Sequence, residues 1–311
     1  MAGRWPGAAP DVGPFPGGAA ARAGATGWVL ADERPERALG AALAWSRQVG
    51  VGDLHVLAER ASGLLARRAG AFSPAPAVWR VEGTSVDPAP PEPVGAEPVP
   101  APGAEAFVPL LVDAGAEPVV EAGVLRGEVL GLEVARVVAG EEGPRLEVGV
   151  GQADREAQRL VHGDRPTAEA LRRAVAAVRE VRRPDAPEHQ VNRLAAERWM
   201  RSILLRRPEL VGARHLEAVP SPVARTDLRQ AAPAPAAGVD REGRPLLVVC
   251  STGIDVDLVP AAADARLADG RHARLVLVVP EADDHPLTRW LAARLVPPAE
   301  VVALAGDWRR L

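Results

Sequence analysis

Short apolar runs alternate with amphipathic helical stripes at both ends of this chain, and that alternation restricts the fold more than any other feature. Near the start, Trp28-Val-Leu-Ala, Leu54-His-Val-Leu-Ala and Ala77-Val-Trp-Arg-Val read as strands. Between them fall two helical segments. One takes Pro35 in its first turn and carries Leu39, Ala42 and Leu43 on one face; the other centres on residues 64–69. Near the end the plan recurs. Leu246-Leu-Val-Val-Cys, Leu275-Val-Leu-Val-Val and Glu300-Val-Val-Ala-Leu are strands, separated by a helix opened by Asp257 and Pro260 and a helix that starts at Pro286 with Leu287, Leu291 and Leu295 on one stripe. Strands alternating with helices imply parallel pairing through right-handed crossovers.

The expected fold class is therefore α/β, with two Rossmann-like βαβαβ segments at 27–82 and 246–311. Their six strands either join in one doubly wound sheet or form two lobes. Gly63–Val81 lies over Pro286–Leu304 without a gap, which fits an internal repeat as well as two unrelated units in an Ala-rich chain. Stretches rich in Pro and Ala at 83–104 and 219–245 read as linkers, and residues 1–26 as a disordered tail. Within these, 1–24, 86–103 and 229–240 are expected to be poorly ordered. Between the linkers, 105–218 forms an α+β middle domain with a β-hairpin and helices.

All 37 basic residues are arginine, which excludes Schiff-base chemistry and the lysine of a P-loop. Aromatics make up only 3%, so aliphatic side chains fill the cores. The lone Cys250, the absence of a secretion-type apolar region and the absence of an apolar run of membrane-spanning length point to a cytoplasmic protein.

In parallel α/β sheets, ligands gather beyond the carboxyl ends of strands. Here that rule selects Asp32, Glu59, Ser251, Thr252, Gly253 and Glu281 as a pocket for a nucleotide-sized ligand, with Ser251, Thr252 and Gly253 offering donors to a phosphate. The plainer alternative makes Asp32, Asp257 and Asp284 simple helix N-caps.

In the middle segment, residues 130–138 and 145–151 both alternate and flank a turn-rich Ala139-Gly-Glu-Glu-Gly-Pro, so a hairpin is expected. A period of two puts Glu133 and Glu147 on one face with Gly131, Ala135, Gly149 and Gly151, whose small size leaves room for a metal and a substrate. Glu121, Glu128-Val-Leu-Gly and Glu147-Val-Gly follow in an order that resembles the PD-(D/E)XK nuclease superfamily over about residues 105–165. The resemblance implies a nuclease-like, divalent-metal-dependent phosphodiesterase. Glu121 would then be helix-borne, Glu128 or Glu133 would be the first-strand acid, and Glu133 and Glu147 would hold Mg²⁺ or Mn²⁺. Gly149 stands at the family's lysine position, so Gln152 or Arg155 would have to replace that lysine, and the site is altered or inactive.

Residues 105–152 hold 9 acids and 3 arginines, whereas 153–207 hold 8 acids and 13 arginines. Acidic strands beside basic helices suit a metal facing a polyanion, with Arg172, Arg173, Arg198 and Arg201 as nucleic-acid contacts. The partners in view are thus nucleic acid, a nucleotide-like ligand, or a further copy of the chain. The other reading is a non-catalytic sensor or scaffold with an ordinary solvated arginine surface.

Overall fold

The computed structural model describes residues 10–141, 143–162, 168–187, 189–223, 230 and 232–311. It is a mixed α/β fold with three sheets. The chain divides into two compact units: residues up to Val94 with 254–268 and 284–301, and residues 95–253 with 269–283 and 302–311. No helix among the described residues is long and apolar enough to cross a membrane.

The first unit is built on a six-stranded sheet in the order β1 (Asp11–Phe15), β2 (Gly18–Ala23), β3 (Thr26–Ala31), β4 (Asp53–Ala58), β5 (Ala77–Glu82) and β6 (Ser85–Pro88). Strands β3, β4 and β5 are parallel, connected by α1 (Leu39–Val49) and α2 (Ser62–Ala69), and α1 buries Leu39, Ala42 and Leu43 as its periodicity requires. The expected tail is a correction: residues 11–23 form an antiparallel β-hairpin on β3, and only 1–9 lie outside the described residues. Alternation hidden among Ala and Gly residues is enough once a neighbouring edge supplies ladder hydrogen bonds, and Ala20 and Ala21 are buried. Within the expected 83–104 linker, β6 pairs with β5, and the stretch 89–101 has no helix or strand.

The second unit holds two sheets. The first runs β10 (Gly143–Val148), β9 (Leu132–Gly140), β8 (Val124–Val129), β7 (Glu117–Glu121), all antiparallel. One face packs on α3 (Val108–Asp113) and α5 (Ala168–Val181) through Leu111, Leu125, Leu132, Val148, Leu171 and Val175. Helix α4 (Gly151–His162) follows β10 directly.

The other sheet runs β11 (Ala213–Ala218), β12 (Ala234–Asp240), β13 (Pro245–Cys250), β14 (Arg274–Pro280), β15 (Glu300–Leu304). Strands β13 and β14 are parallel, with α7 (Leu258–Asp269) between them in the chain, and α8 (Pro286–Ala292) precedes β15. The strands of the two expected βαβαβ segments therefore lie in different sheets, not in one doubly wound sheet. A second correction concerns the 219–245 linker. Its Ala-Pro-Ala-Ala-Gly-Val-Asp run is the inner strand β12, where Gly238 lets the His215 carbonyl approach so closely that a Cβ would sit 1.9 Å from its oxygen. Residues 224–229 and 231 lie outside the described residues. A third concerns the middle domain's end: α6 (Ala196–Arg206) and β11 belong to the core of this sheet, through Trp199, Met200, Ile203, Leu204 and Leu216.

Candidate functional site

The acidic positions singled out above do converge, by a route that periodicity did not reveal. Across β8 and β9, Gly127 pairs with Ala135 but Glu128 pairs with Glu133, so Val134 is an extra residue, a β-bulge. Strict alternation would have put Glu133 opposite in sense to Arg136. The bulge turns it to the same face. On that face stand Glu121, Arg126, Glu128, Glu133 and Arg136, with Glu147 directly across from Arg136. The opposite face carries Leu125, Ala135, Val137, Leu146 and Val148 into the apolar core. The sheet therefore has one oily side and one ionic side.

Both sides are covered. Glu133 is 0% exposed, Glu128 1% and Glu121 8%. Carboxylates facing each other across a strand pair repel, and burial magnifies the cost. Arginines offset it. Glu133 accepts from Arg126 at 2.9 Å, Arg136 at 2.6 Å and Arg155 of α4 at 3.1 Å. Glu128 accepts from Arg198 at 2.5 Å and Arg201 at 3.2 Å, both of α6, and Arg198 also binds Glu121. Glu147 accepts from Arg145 at 3.0 Å and lies 3.7 Å from Arg155. Burial still pushes the Glu128 carboxyl above the usual carboxylate range, with Arg201 pulling against it. Burial also lowers the Arg155 guanidinium, helped by Arg136 beside it.

This arrangement amends several expectations. Glu121 sits on strand β7, not on a helix. Arg198 and Arg201 are 3% exposed and tied to carboxylates, so they are not free for phosphate, whereas Arg172 and Arg173 on α5 are exposed. Gln152 points away and donates to Glu156 at 2.8 Å, so of the two candidates for the lysine's place Arg155 alone reaches the cluster. The small residues do not clear space for a substrate. Gly131 has φ +75° and a Cβ there would meet the Arg198 carbonyl carbon at 2.2 Å; Gly149 presses on the backbone of Asp154 and Arg155; Ala135 is core. They let helices approach the sheet. Among the described residues no group of three or more His, Cys, Asp or Glu side chains is placed to hold a metal ion. Sequence reasoning also missed the arginine partners on the strands themselves, whose signal was local: Arg126-x-Glu128, Glu133-x-x-Arg136 and Arg145-x-Glu147 put both charges on one strand.

The strand-end residues separate into two groups. In the first unit, a cavity of about 330 Å³ lies past the carboxyl end of β3, lined by Asp32, Glu33, Arg34, Arg37, Asp255 and Asp257 among others. Arg37 and Asp255 pair at 2.6 Å across it. Asp257 is no simple cap: its carboxylate faces Arg68 at 3.4 Å and accepts from the Gly40 N–H at 3.4 Å. Burial pushes its pKa up to about 7 despite Arg68. Glu59 is exposed and outside the cavity lining. In the second unit, the Gly253 N–H is already taken by Asp283 at 2.7 Å, Ser251 is buried, and Glu281 accepts from the Gly306 N–H at 3.2 Å. Helix α7 starts only at Leu258, so Ser251, Thr252 and Gly253 do not form its first turn. Back in the first unit, Asp284 pairs with Arg289 at 2.7 Å, and His285 caps α8 instead.

Fold and site define the class: a mixed α/β protein whose second unit carries a sheet with an arginine-neutralised acidic face. No protein-family model matches the chain, and neither a curated protein nor a solved structure matches it.

Proposed function

We propose that this protein is a non-catalytic α/β binding protein and not a working nuclease. One observation carries the reading: each of the four carboxylates in the nuclease-like order, Glu121, Glu128, Glu133 and Glu147, has a guanidinium within ion-pair distance. A carboxylate already paired with arginine has its charge met, and a divalent ion would have to displace charge-assisted bonds worth more than neutral ones. The nuclease-like alternative, with Mg²⁺ or Mn²⁺ on Glu133 and Glu147, rests on those four side chains sharing a face. It requires Arg155 to swing out.

The binding site in this reading is the cavity beyond β3. Asp32 and Glu33 are carboxylates at the end of a parallel strand, the place where such groups accept from the hydroxyls of a sugar, and the volume suits a nucleotide-sized ligand. The test has two arms. Calorimetry with Mn²⁺ should show no uptake that the Glu133→Gln/Glu147→Gln variant removes, and nuclear magnetic resonance with a nucleoside set should show contacts that Asp32→Ala abolishes. Mn²⁺ uptake lost in the double variant, together with metal-dependent cleavage of DNA or RNA by the wild type, would restore the nuclease reading. Nucleosides without contact would remove the cavity assignment.

A further inference from the structure

A different cavity, of about 320 Å³ and wholly within the second unit, is lined by Arg179, Arg182, Arg183, Arg206 and Arg309, with Glu117 as its one acidic side chain and Leu311, the last residue, also on its wall. Five guanidinia against one acidic side chain is a large local imbalance in a chain whose net charge is -4. The partners of these arginines leave most of that charge uncancelled. Arg182 spends its donors on the backbone carbonyls of Leu130, Val191 and Leu194, and Arg179 gives one to the Gly115 carbonyl at 2.8 Å. Among the described residues Arg183 meets Glu180 alone, at 3.8 Å with both side chains exposed, a contact of small worth. Arg206 has no ion-pair partner among the described residues. Arg309 lies over Trp308 at 4.7 Å and Trp199 at 5.8 Å, and its one carboxylate among the described residues, Asp307 at 3.7 Å, is an exposed contact of the same small worth.

The acidic face and this cavity thus use arginine in opposite ways. In the first, buried guanidinia meet buried carboxylates; here Arg179 and Arg182 meet carbonyls, Arg309 lies against aromatic rings, and the carboxylates near Arg183 and Arg309 are exposed. Val129, Leu130 and Ile203 supply an apolar floor beneath the charged rim.

We propose that this cavity binds a phosphate-bearing small molecule, its phosphate held by Arg183 and Arg206 at the exposed rim over the fixed Arg182. Guanidinium forks match phosphate oxygens bidentately, and uncancelled cations around a partly desolvated pocket gain most from a compact dianion. Burial already drives the Arg182 pKa down to about 9, and an anion in the cavity relieves that strain on its charge. The inference does not depend on the ligand assigned to the cavity beyond β3.

The test is calorimetry on the full chain with pyrophosphate and with adenosine diphosphate, at low and at raised salt. Both probes should bind the wild type, weakening as salt rises. Arg183→Gln/Arg206→Gln should weaken binding about 100-fold, roughly tenfold for each guanidinium removed. Both side chains are exposed, so the variant keeps its fold, and circular dichroism checks this. Arg214→Gln, on β11 in the same unit but outside the cavity, makes the same kind of charge change and should leave affinity within about twofold. Tighter binding of the nucleotide assigns the site to organic phosphates that use the apolar floor; equal affinity assigns it to free phosphates. Absence of binding to the wild type, or equal weakening by Arg214→Gln, overturns the proposal.

Discussion

Replacing Glu133 by alanine tests whether the acidic face is a structural ion lattice. The carboxylate is fully buried and accepts from three guanidinia. Removing it leaves those cations without their shared counter-charge. Breaking a buried ion pair by deleting one partner costs about 3–5 kcal/mol, chiefly the penalty on the charge left behind. Two effects pull the figure to the low end of that range. Arg136 keeps 28% of its side chain exposed and can turn to water, and the loss of Glu133 relieves repulsion on Glu128. Arg126 and Arg155, each 11% exposed, cannot escape so easily. The expected loss is about 3 kcal/mol, or about 100-fold faster amide exchange from opening of the sheet. Hydrogen-exchange mass spectrometry on peptides spanning 124–148, with 77–82 in the first unit as an internal reference, reads it. Exchange that speeds by less than about threefold would refute the argument. So would a Glu133→Met/Arg155→Met double variant as unstable as the sum of its single changes, because removing Arg155 as well takes away one of the charges that loss of Glu133 orphans, and the two sites must couple.

Two further outcomes follow from the structure. Asp257 titrates at about 7 when folded and near 3.8 when unfolded, so its folded form holds a proton more tightly; its favourable contribution is complete below about pH 4 and is lost as pH rises through about 7. The first unit should therefore lose about 3 kcal/mol between about pH 5 and about pH 8 in urea titrations, and Asp257→Asn should flatten that slope; an unchanged slope in the variant would assign the pH dependence elsewhere. Gly131→Ala combines a φ of +75° with a Cβ at 2.2 Å from the Arg198 backbone, so α6 must shift, and the variant should lose at least about 2 kcal/mol by denaturant unfolding of the second unit; a loss below about 0.5 kcal/mol would show that this approach is soft.

The alternation of apolar runs and helical stripes was legible because burial on both faces of a parallel strand leaves a continuous hydrophobic signature, as in Leu246–Cys250. Strands made of Ala, Gly and Pro were not legible. In β2 and β12, ladder hydrogen bonds from a neighbour do what side-chain pattern does elsewhere, and composition reads them as linker. The four glutamates were found, yet the face they share came from a bulge at Val134 that no period of two encodes. Their arginine partners on α6 lie 70 or more residues from Glu121 and Glu128 in the chain, beyond the reach of any local pattern. The small glycines were visible, but their purpose was not: the same absence of a side chain serves a ligand or a helix, and only the position of Arg198 decides between them.

The two-sided character of α6 explains why an ionic sheet face can be buried at all. Trp199, Met200, Ile203 and Leu204 face the core of the five-stranded sheet, while Arg198 and Arg201, three apart, face the carboxylates of β7 and β8. A helix that joins an apolar core to a charged sheet must bring cations that satisfy more than one acceptor each. Arg198 does this, reaching both Glu121 and Glu128 from one planar group. The lysine ammonium, a compact and strongly hydrated point charge, would reach one carboxylate and surrender more hydration in doing so. The absence of lysine from the chain, which removes the general positive group of the nuclease motif, is thus matched by a use of arginine that this packing requires: guanidinia as cross-links between strands and helices. The carboxylates of β7 and β8 thus anchor the helix that covers them.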